Sequence, residues 1–369
     1  MARLSPLQRR RWQNFKANRR AYWSLWIFST LFILSLFAEF IANDKPLLVS
    51  YRGELHAPIF AFYSERDFGG EFDAEAEYPA PEVKCLIITG GLEDCWDDPE
   101  DVTIDAADGQ VNGVDIEKGW MLWPPVRYSF NTINYDVERA PSAPDSAHLL
   151  GTDDQTRDVV ARIIYGFRIS VLFALVVSLS SCVIGVAAGA AQGYFGGWID
   201  LIFQRLVEIW TSMNVLYIII IIASIFTMSF SKMVLILAAF SWTAFVGVVR
   251  AEFLRARNFE YVRAARAMGV GDWTIIFRHL LPNAMVATLT LLPFFITSSI
   301  GTLAALDYLG YGLPVSYPSL GELALQGKNN LQSPWLGFSA FFTYAIMLSL
   351  MVFIFEGVRD AFDPRKTFQ

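Results

Sequence analysis

The run ISVLFALVVSLSSCVIGVAAGAAQGYFGGWI, residues Ile169 to Ile199, holds no charged side chain and ends at Asp200. A helix rises about 1.5 Å per residue, so about 20 apolar residues cross the hydrocarbon core of a bilayer. This run alone is long enough to span. Similar charge-free runs follow it: Ile209–Ser231, Met233–Val249, Ala284–Leu306 and Trp335–Phe355. An earlier one, Tyr22–Ala42, is interrupted only by Glu39 near its end. A charge at mid-bilayer costs about 2.5–3.5 kcal/mol, so the placement of charges between the runs is a physical constraint. The sequence therefore predicts an all-α polytopic membrane protein with six transmembrane helices.

Composition points the same way. The chain has 369 residues, of which 54% are apolar and 18% charged, against roughly 25% charged in a soluble domain. That excludes a disordered, collagenous or ordinary cytosolic protein. The net charge of −7 is unevenly spread. Asp44 to Asp158 holds 25 of the 36 acidic residues and 8 of the 29 lysines and arginines, a local charge of −17. The rest of the chain carries +10.

Orientation follows from the basic residues, which favour the cytoplasmic side. Before Tyr22 stand Arg3, Arg9, Arg10, Arg11, Lys16, Arg19 and Arg20. The 250–283 loop carries Arg250, Arg255, Arg257, Arg263, Arg266 and Arg278, and the tail carries Arg359, Arg365 and Lys366. Six spans put all three segments inside, so both termini are expected in the cytoplasm. The 43–158 and 307–334 segments fall outside. The first run has a long basic front and no small-x-small cleavage site after Phe40, so it reads as an uncleaved span.

The expected layout is a basic tail at 1–21, a first helix at 22–42, an outer insertion domain at 43–147, and a pre-helix segment at 148–168. A five-helix core at 169–357 then holds the cytoplasmic loop 250–283, and a tail closes the chain at 358–369. Residues 43–147 are too long for a simple loop. Turn signals at Gly69-Gly70, Gly90-Gly91, Asp108-Gly109 and Pro124-Pro125 separate short runs such as Val83–Thr89 and Val126–Phe130. These read as strands of a small β or irregular domain. Cys85 and Cys95 lie close together on the oxidising side, either as a disulfide or as two thiols; Cys182 sits in a span as a packing residue. The acidic cluster Glu93, Asp94, Asp97, Asp98, Glu100 and Asp101 reads as a solvated face, with calcium binding the lesser alternative; Asp108-Gly109 followed by Asp115 lacks the earlier oxygen ligands of a calcium loop.

Catalytic patterns are absent. The three histidines, His56, His148 and His279, form no HExxH, and no Cys/His metal spacing, G-x-S-x-G or G-x-x-x-x-G-K-[ST] occurs. No metal site is expected, and the chain does not bind ATP by a P-loop of its own. A secondary carrier or channel usually keeps ionisable groups within its spans. Here Lys232, Glu39 and Asp307 are the candidates, and all lie at span ends. A membrane-anchored sensor would not need six spans.

The cytoplasmic loop is the most informative. Phe259 to Met268 suits a short helix, with Ala264, Ala265 and Ala267 making a slim surface and Gly269 a left-handed stop. Leu281-Pro282 suits the first turn of the next span. Physics alone fits two uses: a lever docked on another protein, or a helix lying on anionic lipid through its arginines.

These residues resemble a known pattern. Ala264-Ala265-x-x-x-Gly269, with Leu281-Pro282 following, is similar to the EAA motif of permease subunits in bacterial ABC importers. Arg263 stands at the usual glutamate position and His279 at a usual isoleucine. The segment from His148 through Asp153-Asp154-Gln155-Thr156-Arg157-Asp158 to Ser170 resembles the stretch before the second span of dipeptide and oligopeptide permeases. Gly193–Asp200 and Leu306–Pro314 add two further matches. The long 43–147 insertion is most like the YejE-type branch, permeases of peptide and microcin C import.

The resemblance implies the ABC permease fold, alternating access and a bacterial inner-membrane location. It implies a second permease subunit, two P-loop ATPase domains that bind ATP and magnesium, and a periplasmic peptide-binding protein; no nucleic acid is involved. Coupling would run through the 259–273 loop, with Glu260, Arg263, Ala264, Ala265, Gly269, Leu281 and Pro282. Asp307, Tyr308, Tyr311 and Trp335, at outer span ends, are candidates for the substrate path, and an interfacial aromatic belt explains the aromatics equally well. Asp153, Asp154, Arg157 and Asp158 would latch the insertion or cap a helix. Another solute such as nickel is the alternative cargo.

Overall fold

Apolar runs become long helices here wherever no capping residue interrupts them. The computed structural model describes residues 6–106, 110–111 and 114–362. Arg3, Asp108-Gly109, Arg365 and Lys366 lie outside the described residues. The chain divides into two units, one of residues 34–165 and one of 1–33 with 166–369.

The second of these is helical. It takes in α1 (Pro6–Ala17), most of α2 (Arg19–Leu36) and of α6 (Val159–Phe195), α7 (Gly197–Ser212), α8 (Val215–Ile225) and α9 (Phe230–Ser241). Then follow α10 (Thr243–Ala256), α11 (Glu260–Ala267), α12 (Asp272–Thr274), a π turn at Ile275–Leu280, α13 (Leu281–Tyr308), α14 (Leu320–Asn329) and α15 (Pro334–Phe362). Among the described residues, Val159–Phe195, Phe230–Ala256, Asp272–Tyr308 and Pro334–Phe362 are long and apolar enough to span. α7 and α8, bent by 70°, make a fifth if counted as one.

Two expected spans therefore change. The Ile209–Ser231 run is not one helix. Asn214 caps α8, its side chain accepting from the Leu216 N–H at 3.1 Å. An Asn side chain that bonds its own following backbone competes with helix continuation. The Tyr22–Ala42 run gives the 18-residue α2, ending at Leu36, and then the single turn α3 (Ala38–Ile41). The basic tail before it is itself the helix α1.

Glycine lets two spans approach closely. A Cβ on Gly185, Gly189 or Gly193 of α6 would meet the Trp242 carbonyl, the Val246 carbonyl or the Phe253 Cβ at 2.4, 2.9 and 2.4 Å. Small residues at four-residue spacing are how membrane helices bring backbones together. Phe173, Val177, Ile219, Met233, Leu237, Leu303 and Leu306 form one buried core of this unit.

The 34–165 unit is mixed rather than β or irregular. Strands β2 (Glu54–His56), β1 (Leu48–Tyr51) and β5 (Trp120–Leu122) form an antiparallel sheet in the order β2-β1-β5. Val49 and Tyr51 pack with Phe68, Tyr78, Val83 and Ile87. Strands β3 (Gln110–Val111) and β4 (Val114–Asp115) pair separately. The expected strand Val83–Thr89 is the helix α4 (Pro81–Thr89), and α5 covers Pro99–Asp105. Pro81 starts α4, Gly90 ends it with φ +76°, and Val83, Leu86 and Ile87 bury one helical face. The expected strand Val126–Phe130 reduces to one bridge, Ala42 to Val126; the preceding Pro124-Pro125 cannot donate to a ladder.

Candidate functional site

The loop between α10 and α13 folds as a lever fixed along one side. On α11, Val262 and Ala265 are buried while Tyr261, Arg263, Ala264 and Arg266 are exposed. Three-residue spacing puts Val262 and Ala265 on one face. They pack into a cluster with Ala190 and Tyr194 of α6, Val249 and Phe253 of α10, and Ile275, Ile276 and Leu280 of the π turn. Ala265, expected on the docking surface, thus belongs to the chain's own core. The slim outer face consists of Ala264, Ala267, Met268 and Gly269, with Phe259, Tyr261, Trp273 and Phe277 also exposed.

The C-terminal end of α11 is stopped by identifiable bonds. Gly269 adopts φ +75°. Its N–H donates to the Arg266 carbonyl, and the Val270 N–H to the Ala265 carbonyl, each at 3.0 Å. That pair of bonds is a Schellman stop, as the glycine predicts. Glu260, exposed, supplies a carboxylate in the first turn, where the helix dipole favours it.

The lever is also tied to α6. The Arg266 guanidinium lies 4.9 Å from the centre of the Tyr194 ring. The Tyr194 hydroxyl donates to the Asp272 carboxylate at the start of α12. Nearby, Arg250 grips Asp200 with two bonds of 2.5 and 2.8 Å, the strong bidentate form. Asn283 donates to the Tyr261 hydroxyl at 3.4 Å and lines an open pocket of about 320 Å³ with Glu252, Arg255, Thr290 and Arg359. None of Tyr194, Asp272, Asp200 or Asn283 carried a sequence signal of its role beyond lying near the loop or a glycine turn.

Leu281 and Pro282 do not begin the span. Helix runs continuously from Asp272 to Tyr308, and Pro282, in the first turn of α13, sits ten residues inside it. The Leu281 N–H bonds five residues back, to Ile276. Pro282 lacks an N–H and cannot bond to Arg278, so the π turn lies where the regular ladder fails.

At the other end of α13, Asp307 is buried. One oxygen accepts the Leu313 N–H at 2.8 Å and the other the Ser319 hydroxyl at 2.6 Å. Ser319 in turn caps α14, accepting from Gly321 and Glu322. Asp307 therefore holds the 309–319 loop. Tyr308 and Tyr311 are half-buried, with Lys328 5.4 Å from the Tyr308 ring centre, and Trp335 is half-buried at the start of α15.

With this geometry in hand, comparison with known proteins is direct. The family model for the binding-protein-dependent transport system inner membrane component matches residues 181–368. That for the N-terminal TM domain of oligopeptide transport permease C matches residues 5–58. The peptidoglycan transport system permease protein YejE of Agrobacterium fabrum is 54% identical over 99% of this chain and 95% of its own length. The inner membrane ABC transporter permease protein YejE of Escherichia coli is 52% identical over 99% of both. The glutathione transport system permease protein GsiD of Pectobacterium atrosepticum is 32% identical over 66% of this chain and 82% of its own length. The chain belongs to the binding-protein-dependent transport permeases. It is a permease subunit of an ABC importer.

In this permease Asp153, Arg157 and Asp158 form a buried knot. Asp153 accepts from Arg157 Nε at 2.7 Å and from the Gln155 and Arg157 backbone N–H groups at 2.9 Å, with Arg162 at 3.5 Å. Asp158 precedes α6 and accepts the Ala161 N–H at 2.8 Å, an N-cap. Its second oxygen meets His148 Nδ1 at 2.9 Å, and Asn134 meets the other ring nitrogen at 3.0 Å. Tyr128 stacks on His148 at 4.3 Å, its phenol pushed up by burial and by the Asp158 charge. Asp145 lies low because the His148 backbone N–H donates to it. Asp154, grouped with the others from sequence, is exposed. His148 is the member the sequence did not reveal. Cys85 and Cys95 are bonded, S–S 2.02 Å, between α4 and the turn before α5. Among the described residues, no three His, Cys, Asp or Glu side chains are placed to share a cation.

Proposed function

We propose that this permease carries peptides, and peptide-like antibiotics such as microcin C, inward across the bacterial inner membrane by alternating access. The relatives named for peptidoglycan and glutathione transport, and the oligopeptide permease model over the N-terminus, support a peptide cargo. A periplasmic binding protein would deliver the peptide to this subunit and a second permease. Two ATPase subunits, holding ATP and magnesium, would close and pull a coupling helix on each permease.

The observation that carries the coupling role is the two-faced α11. Val262 and Ala265 fix it to its own chain, and the opposite small-residue face is bare. A groove on an ATPase surface needs such a face, and motion imposed on it passes to α6, α10 and α13 through packed side chains. Glu260, Arg263, Ala264 and Gly269 then touch or shape the ATPase contact, while Ala265, Leu281 and Pro282 transmit it.

The orientation follows. In the helical unit, Arg255, Asn283 and Arg359 line one pocket, and Arg11 lies over the Phe362 ring. The ends of α10 and α15, the start of α13, and α1 therefore share one end, which the positive-inside rule makes cytoplasmic. α2, α6, the α7–α8 pair, α9–α10, α12–α13 and α15 give six spans if α2 crosses. Residues 43–147 are then periplasmic, where the Cys85–Cys95 bond persists.

The test is co-purification in mild detergent followed by reconstitution. A second permease and a P-loop ATPase should accompany the chain, and peptide-loaded binding protein should stimulate ATP hydrolysis. A chain that stays alone while transport persists in its pure proteoliposomes overturns the reading.

A further inference from the structure

We infer that an anionic phospholipid occupies a specific site between α1, α2, α13 and α15, with its headgroup on Arg11 and Lys16. The site is a slot of about 530 Å³ lined by Trp12, Phe15, Leu25, Leu289, Val358 and Phe362, among others. That volume is in the range of small-molecule sites, roughly 300–1,000 Å³. Its lining is apolar except for one group, Arg11, and includes no carboxylate.

The shape fits a lipid. Phe362 and Arg11 mark one end of the slot, and Ile354, eight residues before Phe362 on α15, also lines it. At 1.5 Å per residue the slot runs about 12 Å along the helix axes. An acyl chain laid along the spans enters such a slot lengthwise and leaves its phosphate at the charged end.

The charge fits as well. Arg11 lies 4.4 Å from the Phe362 ring centre, and Lys16 lies 5.4 Å from the Trp12 ring centre. Arg9, Arg10, Arg19 and Arg20 are exposed on the same short stretch, and no acidic residue precedes Glu39. Phe15 is buried against Ala21 and Ala361, and a Cβ on Gly357 would meet the Phe15 ring at 2.9 Å. α1 is thus clamped to α15 through Phe15 while Trp12, 42% exposed, stays at the slot mouth. A basic helix with an aromatic underside is the form that lies in a membrane interface. Clusters of basic residues there select anionic headgroups.

Native mass spectrometry of the importer complex tests this, with phosphatidylglycerol and phosphatidylcholine of identical chains as probes. Wild type should retain phosphatidylglycerol preferentially. Arg11→Gln should weaken that preference about fivefold, the increment of one basic residue at an anionic surface, and adding Lys16→Gln should weaken it again. Val358→Trp should fill the slot and abolish retention of both lipids. Glycerol phosphate should not compete, since it lacks the chain. Complex assembly in each variant shows that the fold survives. Equal retention of the two lipids by wild type, or retention indifferent to Arg11→Gln and Val358→Trp in assembled complexes, overturns the proposal. So does a disulfide from Leu25→Cys to the second permease, which would place a protein in the slot.

Discussion

Ala264 and Ala265 are adjacent and chemically identical, yet the fold gives them opposite tasks. Ala265 is 5% exposed in the cluster behind the lever, and Ala264 is exposed on the face in front of it. A glutamate at 265 buries a charge without a partner, a cost of about 3 kcal/mol or more. Ala265→Glu should therefore lower the thermal unfolding temperature of the detergent-solubilised chain and cause loss of assembly through misfolding. Ala264→Glu should leave that temperature within a degree or two and still abolish peptide-stimulated ATP hydrolysis. Equal unfolding temperatures for the two variants would contradict the assigned faces. Asp307 makes a second residue-scale case. Its two oxygens restrain the Leu313 backbone and the Ser319 cap. Removing an acceptor from a buried donor costs about 1–3 kcal/mol. Asp307→Ala should thus speed proteolysis within 309–319, while the KM for peptide in assembled importer changes less than twofold. A large KM change with unaltered proteolysis would make Asp307 a substrate contact instead.

At the scale of elements, the stop of α11 is a backbone device. A Cβ at Gly269 meets nothing within 4 Å, so a side chain there is opposed only by the left-handed φ of +75°. Gly269→Val should cost about 1–3 kcal/mol of local stability, seen as faster hydrogen exchange in 260–270. Gly269→Asn, which tolerates that conformation, should exchange nearly as wild type and keep coupling. Loss of coupling in the asparagine variant with normal exchange would mean that the ATPase contact itself excludes a side chain. This stop was legible in the sequence because glycine after an alanine-rich turn has few other uses. Which alanine faces inward was partly legible: Val262 is the one aliphatic residue of α11 larger than alanine, and Ala265 follows it by three. The elements that eluded reading did so for local reasons. Val83–Thr89 has strand-like composition, and Pro81 and Gly90, which frame it as a helix, outweigh that preference. The Ile209–Ser231 run lacks charge, but length and hydropathy do not register one Asn214 cap. His148 is a lone residue whose partners Asp158, Asn134 and Tyr128 come from three separate places in the chain.

For the whole molecule, charge distribution is the reading that carries the proposed orientation. The acidic 44–158 stretch contains the Cys85–Cys95 bond. Closing a loop of ten residues restricts the unfolded chain, an effect of about 2–4 kcal/mol. Reductant should therefore raise hydrogen exchange in 81–105 of the intact chain and leave α10–α13 unchanged. The orientation admits a sharper test. Tyr135 is 88% exposed in the acidic unit, while Gln13 and Asn258 are exposed on the basic α1 and beside the lever. The remaining free thiol, Cys182, is buried, so single cysteines at these positions report alone. A membrane-impermeant maleimide added to intact spheroplasts should label Tyr135→Cys at once and the other two only after permeabilisation. This pattern requires an odd number of crossings both between Gln13 and Tyr135 and between Tyr135 and Asn258. It thereby decides whether α2 and the bent α7–α8 pair cross. If α2 does not cross, Gln13 and Tyr135 label together. If α7 and α8 turn back instead of crossing, Tyr135 and Asn258 label together, because α6 and α9–α10 alone make two crossings.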